Sequence, residues 1–151
     1  MSNNPLIERT ATGQPLTPNH YNTPYRLLNG YVQNEEHPDT FAIPDQVILL
    51  YIIRPGDFVK LCFIPEAQEP GEDDFGAERM WVEVVKNRGY GDWTGTLANT
   101  PFSDIYGIHA GDELMFSWLN VIDYELNPAL PTIEERIAEL EQPRKRGRHA
   151  R

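Results

Sequence analysis

Two groups of side chains in this 151-residue sequence have types and spacing that could carry chemistry. The first is anionic. Glu66 to Glu78 holds six carboxylates together with Pro70, Gly71 and Gly76, and Glu72, Asp73 and Asp74 are consecutive. Adjacent carboxylates do not make an EF-type calcium loop, which alternates its ligands around a turn glycine at a fixed place. They make a solvated hairpin loop, or an anionic surface that speeds encounter with a basic partner and imitates phosphate charge. The second group is the run Arg79-Met-Trp-Val-Glu83, where alternation puts Arg79, Trp81 and Glu83 on one strand face and Met80, Val82 and Val84 on the other. Trp and Arg are enriched among interface anchors, so this face is a candidate binding surface. The bland alternative is a Trp81 covered by the N-terminal arm or the C-terminal helix.

Local motifs with a known mechanism are missing. The four histidines, His20, His37, His109 and His149, show no metal-binding interval to one another or to the single cysteine, Cys62. No phosphate-cradling glycine loop, Gly-x-Ser-x-Gly elbow or His-Glu-x-x-His helix occurs. The sequence therefore implies no cofactor and no metal, and a catalytic site would have to be assembled from residues distant in the chain. Cys62 lies in an apolar run, where a free cysteine behaves as a small buried hydrophobe.

The net charge of −10 and pI near 4.8 work against general nucleic-acid binding, which needs clustered Lys and Arg to release counterions. A partner protein with a basic surface is the better match. Charge is nevertheless uneven: Arg144, Lys145, Arg146, Arg148 and Arg151 are five of the thirteen basic residues. This tail is the one place where nucleic acid could be touched. The apolar run Val47 to Ile53 is far shorter than the roughly 20 residues of a membrane helix, and no leader-like stretch opens the chain, so a cytoplasmic protein without membrane contact is expected.

The elements that must position these residues read as follows. Residues 1–34 form an arm broken by Pro5, Pro15, Pro18 and Pro24, with order expected from about Tyr21 because Tyr25, Leu27, Leu28 and Tyr31 are too apolar to float. The β-branched and aromatic content of Asp45 to Ile53 favours a strand. A turn at Pro55-Gly56-Asp57 leads into a strand over Phe58 to Ile64, and strands follow over Met80 to Val85 and Trp93 to Ala98. Gly95 is expected to mark a bulge or bend. A second Gly-Asp turn at Gly111 opens a strand with Leu114, Phe116 and Trp118 alternating, and Val121-Ile-Asp-Tyr is a candidate last strand. Thr132 and Glu135 form a capping box for a helix whose Ile133, Ile137 and Leu140 make a narrow apolar stripe, expected to pack on the domain.

The motifs His37-Pro-Asp-Thr-Phe-Ala-Ile-Pro, Gly56-Asp-Phe-Val-Lys-Leu-Cys-Phe, Glu78-Arg-Met-Trp-Val-Glu-Val, Gly95-Thr-Leu-Ala-Asn-Thr-Pro, Gly111-Asp-Glu-Leu-Met-Phe and Ile122-Asp-Tyr, in this order, resemble the YegJ-like family of bacterial domains of unknown function. Tyr124 departs from the Trp expected there. The resemblance implies a small α+β or barrel-like domain without an established activity, and it marks Glu78, Arg79, Trp81, Asn99, Asp112 and Asp123 as motif positions. Structural roles for them are also available: Asn99 as a turn cap, Asp112 bonding turn amides, Glu78 pairing with Arg79 across strands.

The chain is thus expected to be α+β and mainly antiparallel β, a small barrel-like or strongly bent sheet with an irregular arm (1–34), a strand-rich domain (35–126), one C-terminal helix (127–142) and a basic disordered tail (143–151). Its expected function is non-catalytic protein binding, of an immunity or regulatory type, through an acidic surface that includes Glu72, Asp73, Asp74, Arg79, Trp81 and Glu83. One alternative is a small-ligand binder or enzyme with a cleft formed by Arg79, Trp81, Asn99 and Asp123, flanked by Glu78 and Asp112. Another is a nucleic-acid accessory protein acting through the tail. That last reading requires the intact chain to be retained on heparin and a chain ending at Gln142 to flow through; an intact chain that does not bind removes it.

Overall fold

Alternating apolar residues in the central strands leave one face of each for a core, and the chain satisfies them by curling a single antiparallel sheet. The computed structural model describes residues 6–66 and 77–142; the carboxylates Glu72, Asp73 and Asp74 and the basic tail from 143 onward lie outside the described residues. The sheet consists of β3 (Tyr25–Leu27), β4 (Phe58–Pro65), β5 (Glu78–Gly89), β6 (Asp92–Leu97), β7 (Glu113–Ser117) and β8 (Val121–Glu125), with a separate small hairpin of β1 (Glu8–Arg9) and β2 (Pro15–Leu16). β3 to β7 lie in the order β3-β4-β5-β6-β7. A 3₁₀ turn over Trp118–Asn120 then returns the chain from β7 at the far edge to β8, which pairs with the first half of β4. β3 pairs with the second half of the same edge. The result is a curled half-barrel, α+β in class, with α1 (Gly30–Glu36) and the C-terminal α2 (Ile133–Glu141) outside it. No described helix is long and apolar enough to cross a membrane.

The inner face is lined by Val59, Leu61, Phe63, Met80, Val82 and Val84, all essentially inaccessible, together with Trp93, Leu114 and Phe116. The alternation of Met80, Val82 and Val84 inward is as the sequence implies. A second, smaller core lies on the outer face at one end, where Cys62, Ile64 and Ile122 meet Leu16 and Leu28, with Phe41 and Ile43 against them. The N-terminal arm is therefore a covering layer. Buried Asn120 ties it down: its Nδ2 donates to Leu28 O at 3.0 Å and to Thr17 Oγ1 at 3.1 Å, and its Oδ1 accepts from Ser117 N at 2.9 Å. Order begins earlier than Tyr21, in β1 and β2, and α1 runs across the position at which arm and domain were divided.

Three expectations need correction. Residues 46–52 are helical, closing a π-type turn over Ile48–Ile52 with Ile53 N donating to Ile48 O at 3.2 Å. Asp45 starts it by accepting the Val47 N–H at 2.8 Å, and burial falls on Leu49, Ile52 and Ile53 while Tyr51 is exposed, a spacing that no strand produces. Packing overrides β-propensity here. The bulge expected at Gly95 sits on the facing strand, where Val85 is the extra residue between the Val84 and Lys86 pairings. Gly95 is needed because a Cβ there would lie 2.5 Å from Val82 Cγ1 and 2.6 Å from Glu83 O. The stripe on α2 is not buried: Ile137 is 39% and Leu140 53% exposed, and the buried residue of that helix is Arg136.

Arg136 explains the docking of α2, which begins at the predicted capping box of Thr132 and Glu135. Its guanidinium meets the Asp57 carboxylate fork to fork, Nη1 to Oδ2 and Nη2 to Oδ1, with both side chains 0% exposed. Its remaining donors reach Pro131 O at 2.8 Å and Ile52 O at 3.0 Å. Asp57 also accepts from Arg54 N at 2.8 Å and Asn127 N at 2.9 Å. Burial raises the pKa of Asp57, but the bonds from Arg136, Asn127 and Arg54 and the charge of Arg136 outweigh it and hold the carboxyl below its ordinary value.

A depressed carboxyl pKa contributes stability that is complete above the unfolded value of about 3.9 and is lost as pH falls through the lower folded one. Asp57→Asn or Arg136→Met leaves one buried charge unpaired and is expected to cost about 3–5 kcal/mol in urea unfolding at neutral pH. In Asp57→Asn the acid-dependent part of the unfolding curve should shrink as well. The double variant recovers only part, because Asp57 also satisfies two backbone N–H groups.

Candidate functional site

The second core covers only one end of the sheet's outer face. At the other end, strand alternation points Phe58 and Lys60 of β4, Arg79, Trp81 and Glu83 of β5, and Asp123 and Glu125 of β8 away from the inner core. Register brings them together: Lys60 is directly opposite Trp81 on one side and Asp123 on the other. The pairing of β4 with β8 slips between Lys60 and Leu61, leaving Ile122 as a bulge residue immediately before Asp123. This puts Trp81, Lys60 and Asp123 in one row across three strands.

Lys60 is the divider of that row. Its Nζ stands 4.8 Å from the centroid of the Trp81 ring, a cation–π contact. On one side is a groove of about 230 Å³ lined by Thr40, Phe41, Ala42, Lys60, Arg79, Ile122 and Asp123. On the other is one of about 270 Å³, with Phe58, Trp81, Ala98 and Asn99 on one wall and Glu125 to Pro128 on the other. Arg79 leans over the Phe41 ring, its Cζ 5.8 Å from the centroid. Trp81 is half-buried and lines the second groove together with the 125–128 segment.

The cleft residues named from sequence therefore share a face but divide between two grooves, Arg79 with Asp123 and Trp81 with Asn99. Asn99 has a structural task as well. β6 ends at Leu97, and the Asn99 Oδ1 accepts the Trp81 backbone N–H while Ala98 N donates to Trp81 O at 2.9 Å, so a side chain prolongs the ladder past the strand's end. Glu83 is exposed farther along β5. Glu78 and Asp112 are elsewhere. Adjacent residues of a strand face opposite sides, so Glu78 does not pair with Arg79; both its oxygens accept the Phe102 N–H at 3.0 Å. Asp112 accepts the His109 N–H at 2.8 Å within the Gly111 turn, as expected of a turn residue. Both charges act on buried tyrosines: Tyr106 is raised to about 12 by burial and then by Glu78 and Cys62, and Tyr25 to about 12 by burial and then by Asp112.

Sequence reasoning passed over Lys60, Thr40 and Phe41. For Lys60 a signal existed, since it lies on the parity opposite to Val59 and Leu61 in a predicted strand. For Thr40 and Phe41 none did, because only the fold of the arm brings them beside Arg79. A separate cavity of about 440 Å³ lies between β3 and β7, with Tyr25, Leu114 and Phe116 in its wall and none of the sequence-named candidates. No group of His, Cys, Asp and Glu among the described residues has a metal-binding arrangement. No family model, curated protein or solved structure matches the chain.

Asn99→Ala removes the acceptor for a half-buried N–H and is expected to lower stability by about 1–3 kcal/mol, with faster exchange of the Trp81 amide proton. Asn99→Asp, which keeps an acceptor, should retain most of that protection.

Proposed function

We propose that this chain is a non-catalytic binding domain that receives a protein partner on the outer face of β4, β5 and β8. The observation that carries the reading is the row Trp81–Lys60–Asp123 with an open groove on each side. An aromatic anchor ringed by charged side chains is the anatomy of an interface centre. Two open grooves suit side chains of an approaching surface better than they suit a sequestered reaction, which needs water excluded. The segment Glu72-Asp-Asp74 precedes β5 in the chain and adds, in this reading, an anionic steering element toward a basic patch of a cytoplasmic partner, as an immunity or regulatory protein would use. Membership of the YegJ-like family belongs to the same proposal: three of the motifs that carry the resemblance supply β4, β5 and β8, the strands of this face.

Affinity capture on the intact chain tests it. A partner held by the native protein at physiological salt should be lost from Trp81→Ala and from Lys60→Glu while both variants keep the native unfolding midpoint. Reversing the charge of Glu72, Asp73 and Asp74 should slow its association and flatten the salt dependence. A partner indifferent to all of these changes would defeat the reading.

A further inference from the structure

We propose that the groove between Arg79, Lys60 and the Thr40–Ala42 segment is a phosphate-binding site, a reading that rests on this face being a binding surface and adds the chemistry of what it binds.

Charge pairing singles the groove out. The chain has 23 acidic and 13 basic residues, so a cation here is surrounded by available carboxylates. Arg9, Arg26, Arg54 and Arg136 each have one within 4 Å. Lys60, Arg79, Lys86 and Arg88 have none among the described residues, and of these Lys60 and Arg79 line one groove together. Their Cα partners in the sheet place them as diagonal neighbours, Lys60 opposite Trp81 and Arg79 two residues before it, about 7–8 Å apart at that spacing. One oxyanion placed between them is in reach of both.

The aromatic contacts orient these two side chains without consuming their hydrogen bonds. Trp81 beneath Lys60 and Phe41 beneath Arg79 are met through ring faces, which among the described residues leaves the three N–H donors of the ammonium and the five of the guanidinium for a ligand. Thr40, a residue with a hydroxyl to offer, lines the same groove. A planar fork, a compact point charge and a hydroxyl arriving from different elements match the tetrahedral oxygens of a phosphate, whose charge is about −1.5 to −2 at pH 7. A carboxylate offers two coplanar oxygens and a single charge, and one arginine fork already satisfies it.

The groove's only described acid is Asp123, and it opposes an anion. Its Oδ1 accepts the Tyr124 N–H at 2.8 Å. With Lys60 and Arg79 it leaves the groove one positive charge, so neutralising it is a direct handle on affinity.

The probe is inorganic phosphate, added to the full chain at constant ionic strength and followed by backbone and indole NMR shifts. Saturable shifts should centre on Lys60, Arg79 and Trp81, with phosphate binding at least about tenfold more tightly than acetate. Lys60→Met and Arg79→Met should each weaken binding about tenfold with the rest of the spectrum unchanged, and Asp123→Asn should tighten it severalfold. A phosphoserine peptide that binds more tightly than free phosphate assigns the group to a partner chain; the reverse order assigns it to a free ligand, and either keeps the site. Shifts that do not saturate, that survive both Met variants, or that acetate reproduces at equal concentration overturn it. A captured partner that depends on Trp81 but ignores phosphate, Lys60 and Arg79 would sink this site and leave the docking face standing. Saturation by phosphate with no partner captured would do the opposite.

Discussion

The contact between Asp57 and Arg136 is the constraint on which the described structure turns. Two opposite charges removed from water would be a net cost unless the interior replaced their hydration. Here it does: the carboxylate accepts from Arg136, Arg54 N and Asn127 N, and the guanidinium donates to Asp57, Ile52 O and Pro131 O. These partners come from the π-type turn, the Gly56 turn, the end of β8 and the start of α2. One ion pair thus ties residues 52–57 to residues 127–136. Gly56 joins the same cluster through its backbone, N to Val84 O at 2.8 Å and O accepting from Asn127 Nδ2 at 3.1 Å.

The candidate site inherits its geometry from that cluster. β4 leaves the Asp57 turn with Phe58, and β8 leads into Asn127, so the clamp fixes the strand that carries Lys60 and one of its two neighbours. β8 can lie there only because the 3₁₀ turn at Trp118–Asn120 carries the chain back across the half-barrel, and Asn120 holds that turn to the arm. The arm in turn covers one end of the outer face and stops at Thr40–Ala42. What stays open is the far end, where Trp81, Lys60 and Asp123 share a row and Arg79 lies beside it. The site is the uncovered remainder of a face that is otherwise a second core.

Much of this was legible in the chain. Period-two alternation identified β5 and β7 and the inward set Met80, Val82 and Val84, because a sheet with one buried face imposes that pattern on local sequence, and turn residues marked β4 and β6. The capping box of Thr132 and Glu135 was equally local. The illegible parts share a cause. The helical turn at residues 46–52 contradicts its own β-branched composition and exists because Leu49, Ile52 and Ile53 find the core and Ile52 O finds Arg136. The exposed stripe of α2 misled for a related reason: the helix is held by one buried charge on the flank, which a count of apolar residues ignores. Glu78 was misassigned by proximity in sequence, where strand parity sends it and Arg79 to opposite faces.

By itself the sequence determined the class of the molecule: an acidic, mainly antiparallel chain with two Gly-Asp turns and a tryptophan-bearing strand face. These are properties of short windows, in which side-chain period, glycine and proline geometry, and capping act over a few residues. Tertiary structure alone decided which charges are buried and which are free. Asp57 and Arg136 stand 79 residues apart, and nothing in either neighbourhood distinguishes them from exposed residues of the same type. Lys60 and Arg79 have no carboxylate partner among the described residues, and that is a property of folded distance, since Coulomb energy depends on separation in space and on burial rather than on position along the chain.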